Sequence, residues 1–244
     1  MPEMQMYQQE ILKALRPYRD TDRARFLAGY VNTKRTLLGL TVPEQRSVAK
    51  RGFSFTAFPQ AEIDSIWHSL AMQTEIFEVF SQALFYYEKR TDLQDLKHWQ
   101  LLKHWVKRVD NWAHSDGLSS LYAQWHERYP KEVYQQFEQW NASKNPWEVR
   151  ASLVGLFYYA NSREQYPSFS KALRMVKGAF SHQDLYVQKG VGWCLRELYN
   201  VYPEQTYAFL LTKATEISPT AWQAATEKLP TSDKQHLKTL RKRV

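Results

Sequence analysis

The sequence predicts an all-α protein, an α-solenoid of antiparallel helix pairs with a concave basic groove. Three observations carry this. Period-two alternation is scarce, and Gly and Pro fall between segments with helical spacing. Residues suited to helix N-caps recur at Thr74, Asn111, Asn145, Asp184 and Ser218, at intervals of 37, 34, 39 and 34 residues, the mark of stacked helical hairpins. The helices after those caps also resemble one another. Glu78-Val79 leads to Ala83-Leu84-Phe85-Tyr86-Tyr87, and Glu148-Val149 leads to Gly155-Leu156-Phe157-Tyr158-Tyr159 about two repeats later. A chain of 244 residues can bury one large core or build a one-dimensional array, and the recurrence favours the array.

In chain order, a first helix is expected over residues 5–15, ending near Arg16-Pro17, and a second over residues 22–30. Gly39 then permits a turn, and Thr41 or Val42 precedes Pro43 at the first helical position. The helix so begun carries Arg46 and Lys50 i,i+4 on one face. These N-terminal helices fill residues 1–58, and helix pairs fill 59–230. The intervening helix of each pair is expected at about 93–108, 130–140, 167–180 and 203–216. Asn145-Pro146-Trp147-Glu148 reads as a capping box with Pro at N1, the best-specified helix start in the chain. Residues 231–244 form a basic C-terminal helix or tail ending in Arg241-Lys242-Arg243, read as a solvated end that adds diffuse attraction to phosphates. No linker splits off a second domain, so residues 1–244 read as one.

Composition narrows the function classes. An excess of 33 Lys and Arg over 25 Asp and Glu gives a net charge of +8, which favours an anionic partner such as nucleic acid or an acidic membrane surface. The one cysteine, Cys194, excludes an internal disulfide, agrees with a reducing compartment, and is expected as small buried filler. The N-terminus lacks a basic segment followed by an apolar one, and the longest nearly apolar run, residues 153–160, is too short to cross a bilayer. A cytoplasmic protein without a membrane partner is the expectation. Nine Trp and fifteen Tyr exceed what a plain helical scaffold needs for packing, so some rings are expected on a binding surface.

The stretch Asp110-Asn111-Trp112-Ala113-His114-Ser115-Asp116 is the main candidate for chemistry. A polar pair ahead of a helical run makes Trp112 the opening residue of a helix, with Asp116 one turn on and on the same face. An aromatic plane beside a carboxylate suits a site that grips a sugar and sets a negative charge next to a developing positive one. The alternative is a core Trp at a helix start with an acid where the macrodipole favours it. If the repeats stack in register, Asp116 and Arg150, each five residues after its cap, lie at equal depth on neighbouring helices. Trp193 then lies one turn deeper on the next, so Trp112, Asp116, Arg150 and Trp193 converge on one groove. Gly117, Gly155, Gly190 and Gly192 each cost a helix about 1 kcal/mol relative to Ala. They imply close approach of a ligand or, more simply, of the next helix.

Other chemistries find no support. His68, His98, His104, His126, His182 and His236 lack Cys or carboxylate partners at ligand spacing, so no metal is expected. There is no phosphate loop, no Gly-x-Gly-x-x-Gly and no Gly-x-Ser-x-Gly. Trp67, Trp99, Trp105, Trp125, Trp140, Trp147 and Trp222 are assigned to packing between repeats.

Taken together, Trp112-x-x-x-Asp116, Trp147-Glu148-x-Arg150 and the run Tyr186-Val187-x-Lys189-x-Val191-Gly192-Trp193-x-Leu195-Arg196-Glu197 resemble the AlkD-like DNA alkylation repair glycosylases, a family built of HEAT-like repeats. The stretch from Gly39 to Lys50, with Pro43-Glu44 and then Arg46, is similar to the family's N-terminal motif. The resemblance implies removal of cationic N3- and N7-alkylated purines from double-stranded DNA by hydrolysis of the N-glycosidic bond, without cofactor or metal, by a monomer. It implies that Asp116 stabilises an oxocarbenium-like sugar and positions water. Trp112 and Trp193 pack on deoxyribose, and Arg150 holds the backbone at the lesion. Arg196 matches a further backbone contact, Lys189 falls within the same motif, and Arg46 with Lys50 holds the opposite strand. Glycosidases usually need two carboxylates because a poor leaving group must be protonated, whereas an alkylated purine already carries the charge. The base stays outside the protein, unlike in enzymes that extrude it into a pocket.

Where the family commonly has an acid directly after the Trp, this chain has Ala113-His114-Ser115. His114 points about 160° around the helix from Asp116 and is expected to be structural or solvent-exposed. Two further readings stand beside the glycosylase: a non-catalytic protein that binds branched or distorted DNA, and a helical-repeat adaptor for another protein.

Overall fold

The computed structural model describes residues 2–158 and 163–242, so Tyr159, Ala160, Arg243 and Val244, which enter the sequence expectations above, lie outside the described residues. Every regular element among the described residues is helical, apart from one isolated parallel bridge between Thr36 and Ile76. The helices are α1 (Pro2–Leu15), α2 (Thr21–Val31), α3 (Val42–Arg51), α4 (Gln60–Gln73), α5 (Phe77–Glu88), α6 (Leu96–Leu102) and α7 (Trp112–Arg128), then α8 (Pro130–Asn141), α9 (Pro146–Val154), α10 (Phe169–Ala179), α11 (Leu185–Val201), α12 (Pro203–Lys213), α13 (Pro219–Ala225) and α14 (Thr231–Arg241). Packing divides the chain into two compact units, Met1–Leu118 and Ser119–Val244. The division falls within α7.

In the first unit α3 and α4 pack on α5, and α1 packs on α4. Asp20 caps α2 by accepting from the Arg23 amide, and Thr41 and Glu44 close a capping box at the start of α3, with Pro43 in its first turn. Between them Gly39 adopts φ +87°. A Cβ there would lie 2.0 Å from the Asp20 carbonyl oxygen, so only glycine fits. Glu78 of α5, fully buried, accepts from the amides of Leu38, Gly39 and Leu40 and so ties this turn to the helix beneath it.

In the second unit α9, α11 and α13 lie side by side in one layer. The other layer carries α8 and α10, with α8 on α9 and α10 on α11, while α12 packs on α11 and α14 on α12. The first layer holds the helices whose caps the sequence spacing located. Asn145 accepts from the Trp147 amide, Asp184 from Tyr186 and Val187, and Ser218 from Ala221. A Cβ on Gly192 would come within 2.3 Å of the Ala221 carbonyl oxygen. That glycine exists so that α13 can cross α11 closely, and the neighbouring helix is what approaches.

Three sequence expectations need correction. Thr74 ends α4 as its C-cap, and α5 starts later, at Phe77, after Ile76. The helix expected over 93–108 is broken: α6 starts behind Asp95, which caps it through the His98 amide. The chain then tightens into a 3-10 turn over Trp105–Arg108, which buries Trp105 with its indole N–H on His68 Nδ1. At α9 the box does not close, because the Glu148 carboxylate is taken by the Ser143 hydroxyl, which itself accepts from the Asn145 amide. Trp67, Trp99, Trp105, Trp125 and Trp140 are buried in the core as expected, whereas Trp147 and Trp222 are half-buried. Cys194 is a buried free thiol whose ionisation burial pushes up, and it has the character of packing filler.

Candidate functional site

The start of α7 is built by residues that precede it. Asn111, buried, accepts from the His114 amide through Oδ1 at 2.9 Å and so caps the helix. Its side-chain amide donates to Asp110 at 2.8 Å and to His114 Nδ1 at 2.9 Å. That fixes the imidazole with its proton on Nε2, facing the Ser81 hydroxyl at 3.1 Å. Asp110 also accepts from the Thr33 hydroxyl and the Lys34 amide and lies 3.6 Å from Arg35 Nε. Burial opposes its charge, but the donors from Asn111, Thr33 and Lys34 and the nearby guanidinium hold its carboxyl below the ordinary range. Arg35 is itself buried. It donates to the carbonyls of Thr74 and Arg108 and lies over the Phe80 ring, 4.9 Å from its centroid. Residues 33–35, the end of α4 and the start of α7 are thereby bound into one polar knot.

On this support the two faces of α7 separate. His114 is inside, stacked on Phe77 at 4.1 Å and tilted against Phe80 at 4.6 Å, and burial pushes its pKa down to about 3. It is neutral packing, held away from any ligand. Trp112 and Asp116 are half-buried on the other face, 4 residues apart. The Trp112 indole donates to the Tyr30 carbonyl at 3.1 Å and meets the Tyr30 ring edge to face at 5.4 Å. Tyr30 in turn stacks on Phe26 at 6.0 Å with the planes 9° apart. Phe26 and Tyr30 are 69% and 61% exposed, far more than packing rings should be. Sequence reading missed both. The signal was their i,i+4 spacing on α2, but nothing local tied them to a helix some 80 residues on.

Also in the first unit, Arg46 and Lys50 share the exposed face of α3. Arg46 makes a two-pronged ion pair with Glu88, at 2.6 and 2.8 Å, and lies over the Phe85 ring at 4.7 Å. A small depression of about 130 Å³ lies there, walled by Arg46, Lys50, Phe85, Glu88 and Lys89.

The second unit gathers Arg150, Lys189, Trp193 and Arg196 on α9 and α11. Arg150 of α9 donates to the Tyr186 carbonyl at 2.9 Å, and its stem lies against Gly190 of α11, where a Cβ would make ordinary contact at 3.4 Å from Arg150 Cγ. Along α11 rings and cations interleave. Trp147 leans on Tyr186 at 4.9 Å, and the Lys189 ammonium lies 5.2 Å from that Tyr ring. Tyr158 stacks on Trp193 at 6.0 Å, and the Arg196 guanidinium lies 5.4 Å from the Trp193 ring. Arg196 is held by Glu197 at 3.0 Å and Glu227 at 2.9 Å. Burial works against its charge and the two carboxylates outweigh it, raising its pKa. A phosphate approaching Arg46 or Arg196 therefore competes with a protein carboxylate already in place.

Among the described residues no group of three or more His, Cys, Asp or Glu side chains is arranged to hold a metal ion, and no helix is long and apolar enough to cross a membrane. His98, which sequence reading left without partners, lies between Asp95 at 2.7 Å and Asp64 at 3.1 Å, and Tyr87 donates to Asp64 at 2.7 Å.

A family model described as DNA alkylation repair enzyme matches residues 11–229. The chain is similar in structure to a predicted DNA alkylation repair enzyme from Enterococcus faecalis, with 16% identity and a TM-score of 0.74 over 87% of this chain and 97% of that one. It is also similar to AlkD2 from Streptococcus mutans (18% identity, TM-score 0.53, 89% and 97% covered) and to smu.31 from Streptococcus mutans UA159 (19%, 0.52, 82% and 90%). No curated protein matches the chain.

Proposed function

The chain belongs to the DNA alkylation repair enzyme family, and we propose that it is a DNA glycosylase that hydrolyses the N-glycosidic bond of N3- and N7-alkylated purines in duplex DNA. The observation that carries this reading is the pairing on α7 of Trp112, backed by the exposed Tyr30 and Phe26 rings, with the half-buried Asp116 one turn on. Flat apolar surface beside a carboxylate matches a deoxyribose acquiring positive charge at C1′ as the base departs. The alkylated purine leaves as a neutral base, so no second acid has to protonate it. Asp116 stabilises the oxocarbenium-like sugar and orients the water that adds to C1′.

The remaining side chains grip backbone. Trp112 and Trp193 contact deoxyribose, and Tyr30 extends the Trp112 surface. Arg150, Lys189 and Arg196 contact phosphates around the lesion, and Arg46 and Lys50 contact the opposite strand. The exchange of Glu88 or Glu227 for a phosphate at Arg46 or Arg196 makes these contacts conditional on DNA. The protein acts as a cytoplasmic monomer without cofactor or metal.

The test is release of free base from duplex DNA carrying N7-methylguanine or N3-methyladenine, run beside salt-dependent binding to the same duplex. Release with binding that weakens steeply as salt rises is the expected result. Salt-dependent binding without release from either lesion contradicts the glycosylase in favour of a non-catalytic binder of distorted DNA. Absence of salt-dependent binding contradicts any DNA role and leaves the protein-binding adaptor.

A further inference from the structure

In the second unit α13 and α14 diverge around a cleft of about 640 Å³. The residues α14 turns toward it are Thr231, Lys234, Gln235, Lys238, Arg241 and Lys242, which fall at i, i+3, i+4, i+7, i+10 and i+11 and so form one helical stripe. The stripe lies beside the buried Leu237, is exposed at four of its six positions, and carries four cations. Its counterpart is Trp222 of α13, with Thr226 just past the end of that helix.

The cations differ in how they are held. Arg241 forms the floor, with its guanidinium 4.7 Å from the Trp222 ring centroid and donating to the carbonyls of Ala214 and Ile217 at 2.8 and 2.6 Å. Carbonyls orient the charge without cancelling it. Lys234 donates to the Glu227 carbonyl at 2.8 Å. Lys238 and Lys242 are exposed and meet no carboxylate among the described residues. Of the acids around the cleft, Glu227 has its carboxylate engaged by Arg196 and Lys228, Glu216 beside Ile217 is paired with Lys213, and Asp233 lies off the stripe beside Ser232.

We propose that this cleft is a second phosphate-binding site, which takes the phosphodiester backbone of DNA beyond the segment gripped by α9 and α11. This rests on the glycosylase reading. The argument for DNA is continuity: Arg196 of α11 is bonded to Glu227, and the Glu227 carbonyl is bonded to Lys234 of α14, so the cleft adjoins the edge of the α11 cation row. An acidic membrane is less suited, because none of the exposed large apolar side chains lies on α13 or α14 to anchor them in lipid.

The experiment measures duplex binding by the full chain across a salt series for wild type, Lys238→Ala with Lys242→Ala, the same pair as Gln, and Lys131→Ala, at an exposed position of α8, as a control for bulk charge. Both double variants are expected to flatten the slope of log Kobs against log salt by about 1.8, roughly 0.9 for each phosphate no longer neutralised, while Lys131→Ala leaves it unchanged. Unchanged slopes in both double variants, with wild type binding and releasing base, overturn the second site and leave the glycosylase standing. A wild type without salt-dependent binding overturns both. Weakened capture on phosphatidylserine vesicles with DNA slopes intact reassigns the cleft to a membrane and overturns the DNA assignment.

Discussion

The start of α7 and the α9–α11 surface both present rings and charges outward, and they are held by opposite means. At α7 the support is a polar knot in which Asp110, Asn111 and His114 are hydrogen-bonded in series, while Arg35, whose Nε faces Asp110 at 3.6 Å without a hydrogen bond, clamps the carbonyls of Thr74 and Arg108. At α9 and α11 the support is helix on helix, with Gly192 letting α13 cross α11 closely and with cations lying on rings. A polar knot fails when one member is deleted, because its partners are left buried and unpaired. A close helix crossing fails when a member is enlarged.

The largest effect that separates the two is therefore a deletion at α7. Arg35→Ala strands the carbonyls of Thr74 and Arg108, and denaturant unfolding should show a loss of about 2–6 kcal/mol, at about 1–3 kcal/mol for each buried acceptor left unpaired. Gly192→Ala adds a single methyl group, and its collision with the Ala221 backbone should cost about 1–3 kcal/mol by the same measurement. Similar losses for a deletion at Gln188, also buried on α11, would blur the contrast.

Acid gives the next comparison. His114 is buried neutral with its pKa lowered to about 3, whereas the unfolded chain binds that proton near 6.5. A depressed folded pKa means stability present above pH 6.5 and lost as pH falls toward 3, here about 2 kcal/mol between neutrality and pH 5. His126, buried among Tyr134 and Phe137 and likewise lowered to about 3, contributes a similar loss in the second unit. Melting temperatures should drop between pH 7 and pH 5, and His114→Asn and His126→Asn should each flatten the profile. A flat wild-type profile contradicts the neutral burial of both. The smallest effect is at Arg46: Glu88→Gln removes the carboxylate that a phosphate there must displace and should tighten DNA binding a few-fold, the scale of an exposed ion pair.

What could be read in advance was what is decided locally. The all-α class follows from helical spacing. The caps at Asn111, Asn145, Asp184 and Ser218 follow from a short polar side chain ahead of an apolar run, since each bonds an amide two or three residues on. The errors fall where a partner outside the helix decides. Glu148 prefers Ser143 to closing its own box, and Trp105 turns inward to His68, breaking the helix expected there. Glu78 and Glu148 look alike in the repeat, yet one is a buried anchor for the turn at Gly39 and the other braces a cap. At the candidate site the Trp112 to Asp116 spacing was legible and so was the separation of His114 from that face, because both follow from helix geometry; the burial of His114 against Phe77 and Phe80 was not, because it is tertiary contact. Tyr30 and Phe26 were not, because what joins them to Trp112 is tertiary contact alone.

The central claim is that Asp116 acts on the sugar in the transition state and not in holding DNA. Single-turnover release of N7-methylguanine at saturating protein, with the dissociation constant measured on the same duplex, tests it directly. Asp116→Asn should slow release by about 10²-fold or more, the scale of removing one group that stabilises developing charge, with the dissociation constant within a few-fold of wild type. Release at the wild-type rate by the Asn variant would contradict the account.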